Sequence, residues 1–200
     1  MSITLKRLSA LFVLCIAPAF NPAFAEQFGH LEGDVRLACE ALLCLSSGIR
    51  PGQCSPSLSH YFGINRRKLS DTISARLDFL RLCPVADRTE KMQSLVDAIS
   101  RGAGRCDPET LNRDLGRWMN TPLFGDMRVV GNQRPGYCSV YTSHEYTYFD
   151  GTLPRYVGKP EEGGYWVAEK DYERERVRYE EVLAKRKADA ERNYYNGGNN

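Results

Sequence analysis

Six cysteines, Cys39, Cys44, Cys54, Cys83, Cys106 and Cys138, constrain this chain more than any other feature. What they can do depends on the compartment, and the first residues speak to that. Lys6 and Arg7 precede an apolar run over residues 8–16, and Ala23-Phe24-Ala25 has the small-x-small pattern of a cleavage site. This reads as a secretory signal peptide, residues 1–25, cleaved after Ala25. An uncleaved anchor needs about 20 apolar residues, and Pro18, Asn21 and Pro22 break the run early. Cys15, the seventh cysteine, lies inside the leader and follows Leu14, where a lipidated cysteine would follow a small residue. An even number of cysteines in an exported chain predicts three disulfides. Six cysteines allow fifteen connectivities, and the sequence does not select one. The arrangement carried forward joins Cys44 to Cys54 across the glycine-proline turn, Cys39 to Cys83 between helices, and Cys106 to Cys138 between helical and extended parts.

Three of the six fall in residues 34–54, DVRLACEALLCLSSGIRPGQC. Val35, Leu37, Ala38, Ala41, Leu42, Leu43 and Leu45 surround the helical wheel, which predicts a buried central helix. Asp34 is its expected N-cap and Gly48 its C′ glycine. Ser55-Pro56 reads as cap and first turn of a second helix carrying Leu58, Tyr61 and Phe62. Arg66-Arg67-Lys68 is a solvated connector. Ser70 or Asp71 caps a third helix that places Ile73, Leu77 and Leu80 on one face and stops at Pro84. Thr89 opens a fourth, with Met92, Leu95, Val96 and Ile99 on one stripe. Asp107-Pro108 opens a fifth, with Leu111, Leu115, Trp118 and Met119 as its apolar side.

The pattern then changes. Residues 127–130, 137–142 and 145–149 are rich in β-branched and aromatic residues and are separated by turn dipeptides, which predicts an antiparallel hairpin region. Residues 153–167 read as loop. Residues 168–193 lack glycine and proline and mix both charges, which predicts an exposed helix, and 194–200 a disordered tail. The expected fold is mainly α. It is a small disulfide-stapled domain of about five short helices over residues 26–167, with an irregular β-hairpin region and an exposed C-terminal helix.

Charge and motif spacing exclude several functions. The chain has 27 Lys+Arg against 25 Asp+Glu, and Lys6 and Arg7 belong to the leader, so the mature part is balanced. A nucleic-acid binder would show a basic excess, and none is expected as a partner. No C-x-x-C pair occurs, the three histidines lie far apart, and His144-Glu145 meets Tyr148 where a zinc motif needs histidine. We therefore expect no metal and no cofactor. Ser55, Ser57, Ser59 and His60 lack a nucleophile-elbow frame. Glu40, a carboxylate in an apolar helix, is what an envelope-processing, peptidoglycan-lytic enzyme would use. The residues after it, Ala41-Leu42-Leu43-Cys44, lack the pattern that follows the glutamate of lytic transglycosylases. With no catalytic frame, binding is left. Aromatics with polar tips suit interfaces, which makes Tyr137, Tyr141, Tyr146, Tyr148, Tyr165 and Trp166 the candidate partner-binding residues.

Five segments together resemble the TrbM/KikA family of conjugal transfer proteins: DVRLACEALLCLSSGIRPGQCSPSLSHYFGI, RLDFLRLCP, SLVDAISRGAGRCD, RPGYCSVYTSHEYTYFD and PRYVGKPEEGGYWV. They run in order over residues 34–167. The resemblance implies a periplasmic accessory of mating-pair formation in a plasmid-encoded type IV secretion system. It brings no catalytic residue, cofactor or substrate with it. The implied partners are protein components of the transfer apparatus or the cell envelope, met without stable membrane insertion once the signal is removed.

Overall fold

The computed structural model describes residues 31–197. The expected signal peptide with cleavage after Ala25, and residues 198–200, lie outside the described residues. The fold is mainly α. Its elements are α1 (Gly33–Leu45), a 3-10 turn (Gly52–Cys54), α2 (Ser55–Gly63), α3 (Leu69–Arg81), α4 (Glu90–Gly102) and α5 (Pro108–Asp114). Strands β1 (Gly116–Thr121) and β2 (Gly125–Val130) follow, then α6 (Gly136–Thr142), β3 (Arg155–Val157), β4 (Tyr165–Val167) and α7 (Tyr172–Gly197).

The first helix is amphipathic rather than buried all round. Ala38, Ala41, Leu42 and Leu45 are buried at i, i+3, i+4 and i+7, while Leu43 is 73% exposed. It starts at Gly33 with Glu32 in the N-cap position, so Asp34 stands in the first turn, where a carboxylate suits the helix dipole. It ends at Ser46, whose hydroxyl and amide both reach Leu42 O, and Gly48 is not its C′ residue. Gly48 is needed for close approach instead. Its N–H donates to Tyr148 O at 2.9 Å, and a Cβ there would sit 1.8 Å from Thr152 Oγ1.

Cap chemistry was legible at two helices. Thr89 accepts from Met92 N–H at 3.1 Å and Asp107 from Thr110 N–H at 2.9 Å. It failed at two others. Cys54, not Ser55, holds the N-cap position of α2, and Lys68 that of α3, where Ser70 and Asp71 bond each other.

The core gathers where α1 through α4 pack with α6. Tyr61 is fully buried and donates to Ile99 O at 3.1 Å. Burial raises its phenol pKa, and the nearby Arg76 guanidinium opposes this. Disulfides Cys39–Cys83, Cys44–Cys54 and Cys106–Cys138 fasten this core, with Cα separations of 4.9, 5.8 and 5.5 Å. They tie α1 to the turn after α3, α1 to the start of α2, and the lead-in of α5 to α6.

The second half departs from expectation in four places. The fifth helix stops at Asp114, and Gly116–Thr121 pairs antiparallel with Gly125–Val130, Trp118 opposite Arg128 and Met119 opposite Met127. Gly116, with no Cβ to obstruct it, lets the Arg128 guanidinium cross over the strand start. Residues 137–142 form helix rather than strand, because Cys138 and Tyr141, at i and i+3, are both buried by that geometry. Their β propensity is overridden by tertiary packing. Residues 145–149 contribute only one bridge, Tyr148 to Ser47. The stretch read as loop holds the β3–β4 hairpin, turned by Gly158 and Gly163 at φ 77° and 87°.

The last helix is longer than expected, running past residue 193 to Gly197 where a tail had been read. It is docked, not free. Tyr179 is buried with Val157 and Val167, and Tyr165, Tyr172 and Leu183 pack against them.

Candidate partner-binding surface

Of the aromatics singled out from sequence, two are interior. Tyr141 is 2% exposed and donates its hydroxyl to Leu45 O. Trp166 is 5% exposed. Its indole N–H reaches Gly131 O at 2.9 Å, its backbone N–H reaches Asn112 Oδ1 at 2.7 Å, and its ring meets Tyr156 edge-on. Both belong to the core, which needs large rings with satisfied polar tips. Tyr165 and Tyr137 are half-buried. Tyr165 bonds Glu175 Oε2 at 3.2 Å, and burial followed by this carboxylate raises its phenol pKa. Tyr137 lies under the Arg105 guanidinium at 3.9 Å. Only Tyr146 and Tyr148, 44% and 61% exposed, remain at the surface. Tyr148 is held by backbone bonds to Ser46 and Gly48, next to exposed Ile49.

The most exposed large aromatic ring among the described residues is Trp118, which the sequence pattern puts on a core-facing helix side. Trp118 is 77% exposed, with Met119 at 47% and Leu123 at 46% on the same hairpin. Trp118 stands on one face of β1 and Met119 on the other. The hairpin that carries them is firmly rooted. Arg128 donates to Asn112 O at 2.8 Å and Arg113 O at 3.1 Å, satisfying carbonyls at the end of α5. Val129 and Val130 are buried at its base, and Arg186 of α7 covers Phe124 at 4.1 Å. Leu111, Leu115 and Trp118 fall at i, i+4 and i+7, which mimicked a helix face. Gly116 inside that run, and the turn residues Pro122 and Gly125, were the signals that it is a hairpin.

The groups weighed for chemistry are engaged elsewhere. Glu40 is 36% exposed and faces Arg36 at 3.3 Å, so it does not sit in an apolar cleft. His60 stacks on Phe79 at 4.6 Å. His144 meets Ser94 Oγ through Nε2 at 2.8 Å, a serine–histidine pair that sequence spacing could not show. Its Nδ1 accepts the Tyr146 N–H at 3.1 Å, so the ring proton is on Nε2, and Ser94 in turn donates to Lys91 O at 3.0 Å. A general base for a serine nucleophile needs the opposite arrangement, with Nε2 accepting. Glu145 pairs with Lys91 at 2.8 Å. Among the described residues no three of His, Cys, Asp and Glu gather as a metal site, and no helix is long and apolar enough to cross a membrane.

The model of the TrbM family matches residues 30–180. Neither the curated proteins nor the solved structures contain a match to the chain. The matched span takes in all three disulfides, both hairpins and the start of α7 with Tyr172 and Tyr179.

Proposed function

Because the chain belongs to the TrbM family of conjugal transfer proteins, we propose that it is a non-enzymatic periplasmic accessory of a plasmid-encoded type IV secretion system. It acts in mating-pair formation by binding a protein partner. The observation that carries this reading is the exposed Trp118, with Met119 and Leu123, on a hairpin held rigid from below. A tryptophan left three-quarters exposed on a hairpin that carries further exposed apolar side chains is what an interface anchor looks like before its partner arrives. Three disulfides support an oxidising compartment, in agreement with the leader.

The test is affinity capture of the tagged, exported chain from the periplasm of plasmid-bearing cells, with Trp118→Ala in parallel. A transfer-system or envelope protein recovered by the natural chain and reduced at least tenfold by Trp118→Ala is the expected result. Recovery of no such component, or recovery indifferent to Trp118, contradicts the proposal. A zymogram on purified cell wall guards the enzymatic side: clearing that disappears in Glu40→Gln would replace this reading with a peptidoglycan-lytic one.

A further inference from the structure

At the foot of the β1–β2 hairpin the surface opens into a cleft of ≈ 520 Å³, with Leu115 and Arg117 on one side and residues 131–136 on the other. Its wall carries two guanidinium groups, Arg117 and Arg134, and no carboxylate. Asp114, next to the lining residue Leu115, is already paired with Arg113 at 2.9 Å. The Arg117 guanidinium is exposed and makes no hydrogen bond or ion pair among the described residues. Arg134 is the more telling of the two. It is half-buried, donates through Nη2 to Pro154 O at 2.9 Å and lies over the Trp166 ring at 5.9 Å. Its Nε is buried and has no acceptor, alone among buried side-chain nitrogens and oxygens of the described residues. A sheltered cation with an orphaned donor and no counter-charge is an unfinished arrangement.

We infer that this cleft is a receptor for a carboxylate side chain in an acidic segment of a protein partner. Arg134 supplies the sheltered charge and Arg117 the exposed one. Planar guanidiniums bind carboxylates in paired hydrogen bonds, and a carboxylate here would supply the missing counter-charge. A protein source is favoured over a small anion by what adjoins the cleft. Trp118 follows Arg117 directly in β1, and Met119 is exposed on the same strand. Arg117 and exposed Met119, at i and i+2, share one face of β1, and an apolar side chain next to an unpaired arginine is the composition of a protein interface. This inference rests on the partner-binding reading above and adds the charge of the partner to it.

The experiment is fluorescence anisotropy of a labelled acidic octapeptide, alternating Glu and Gly, with the oxidised mature chain. A Gln/Gly peptide serves as the neutral control. The acidic peptide should bind at least tenfold more tightly than the neutral one. Arg117→Gln should weaken it at least fivefold, and Arg134→Gln by as much if that variant keeps the parent circular dichroism. Arg67→Gln, in the denser basic connector, should change it by less than twofold. Equal sensitivity to Arg67 and Arg117 would reduce the effect to general charge and overturn the site. Inorganic phosphate competing at the same concentration as the peptide would assign the cleft to a small anion. Arg117-dependent binding to phosphatidylglycerol vesicles with no peptide binding would assign it to a membrane surface. Either overturns the acidic segment as occupant. Trp118-dependent capture without Arg117-dependent peptide binding would remove this inference and leave the partner-binding proposal standing.

Discussion

Tyr141 shows how much of this fold turns on single side chains. A tyrosine in a polar, β-branched stretch can face water or fill a core, and composition does not distinguish the two. What decides it is Gly102, distant in sequence but packed against it directly: a Cβ on Gly102 would fall 2.6 Å from the Tyr141 side chain. The missing side chain makes the slot that the ring fills, and nothing local to residue 141 reports it. Replacing Tyr141 with Phe leaves the Leu45 carbonyl without its donor and should cost about 1–3 kcal/mol, read from urea unfolding. The same phenol sets an alkaline limit. Burial, opposed by Arg50, pushes its pKa up to about 12, against roughly 10 unfolded. A group whose folded pKa is raised contributes stability that is complete below the unfolded value and is lost as pH rises through the folded one. The window for Tyr141 is therefore from about pH 10 to 12, with a loss on the order of 2–3 kcal/mol. Unfolding free energies measured across that window should fall for the natural chain and fall less for Tyr141→Phe. Equal slopes would show that Tyr141 does not control the decline.

At the level of elements, helices are legible in periodicity and capping, and most of the misreadings come from partners distant in sequence. Thr89, Asp107 and the i, i+3, i+4 stripes are local chemistry, visible in the sequence. The switch from strand to helix at Gly136 depends on a distant partner, Cys106 bonded to Cys138, whereas the switch to hairpin at Gly116 has local signals in Gly116, Pro122 and Gly125 that the helix-like stripe of Leu111, Leu115 and Trp118 outweighs. The candidate surface suffered from the same limit. Trp118 reads as a core-face residue because the helix it would continue stops short of it, and Trp166 reads as surface because the groups that hold it inside, among them Asn112 bonded to its backbone 54 residues earlier, are distant in sequence. The docking of α7 was equally illegible, since its stripe of Tyr172, Tyr179 and Leu183 is narrow and its partner is a hairpin read as loop. Mixed charge alone leaves an isolated helix marginal, so Tyr179 should decide whether α7 holds. Its ring packs on Gly158, where a Cβ would lie 2.1 Å from Cζ, and its hydroxyl accepts the Lys159 N–H at 3.3 Å. Tyr179→Ala should cost about 3 kcal/mol. Hydrogen exchange should show the loss confined to α7 and the β3–β4 hairpin, with α1–α4 amides keeping their protection. Uniform loss across the chain would contradict a separately docked helix.

For the molecule as a whole, stability is divided between a small core and three covalent ties, and the ties are not equivalent. Cys39–Cys83 closes a separation of 44 residues and Cys44–Cys54 one of 10. If a disulfide acts mainly by limiting the unfolded chain, the longer closure contributes about 1 kcal/mol more, within a range of about 2–4 kcal/mol each. Burial acts in the same direction. Cys39 and Cys83 are 7% and 2% exposed in the core between α1 and the end of α3, while Cys44 is only partly buried. Paired alanine replacement of Cys39 and Cys83 therefore removes both the constraint and well-packed sulfur. The Cys44/Cys54 pair joins a partly buried sulfur to a buried one, Cys54 at 5% exposed, and removes a shorter constraint local to the junction of α1 and α2. The urea midpoint should fall further for the Cys39→Ala/Cys83→Ala variant than for Cys44→Ala/Cys54→Ala, with m-values similar in both. An equal or reversed order would mean that native-state strain or residual unfolded structure, not loop closure and burial, sets the contribution of each bridge. The same ranking makes the compartment matter. With all three bridges open the small core stands alone, so chain retained in a reducing cytoplasm should be degraded faster than exported chain, by an amount that Cys39→Ala/Cys83→Ala reproduces most nearly in the periplasm.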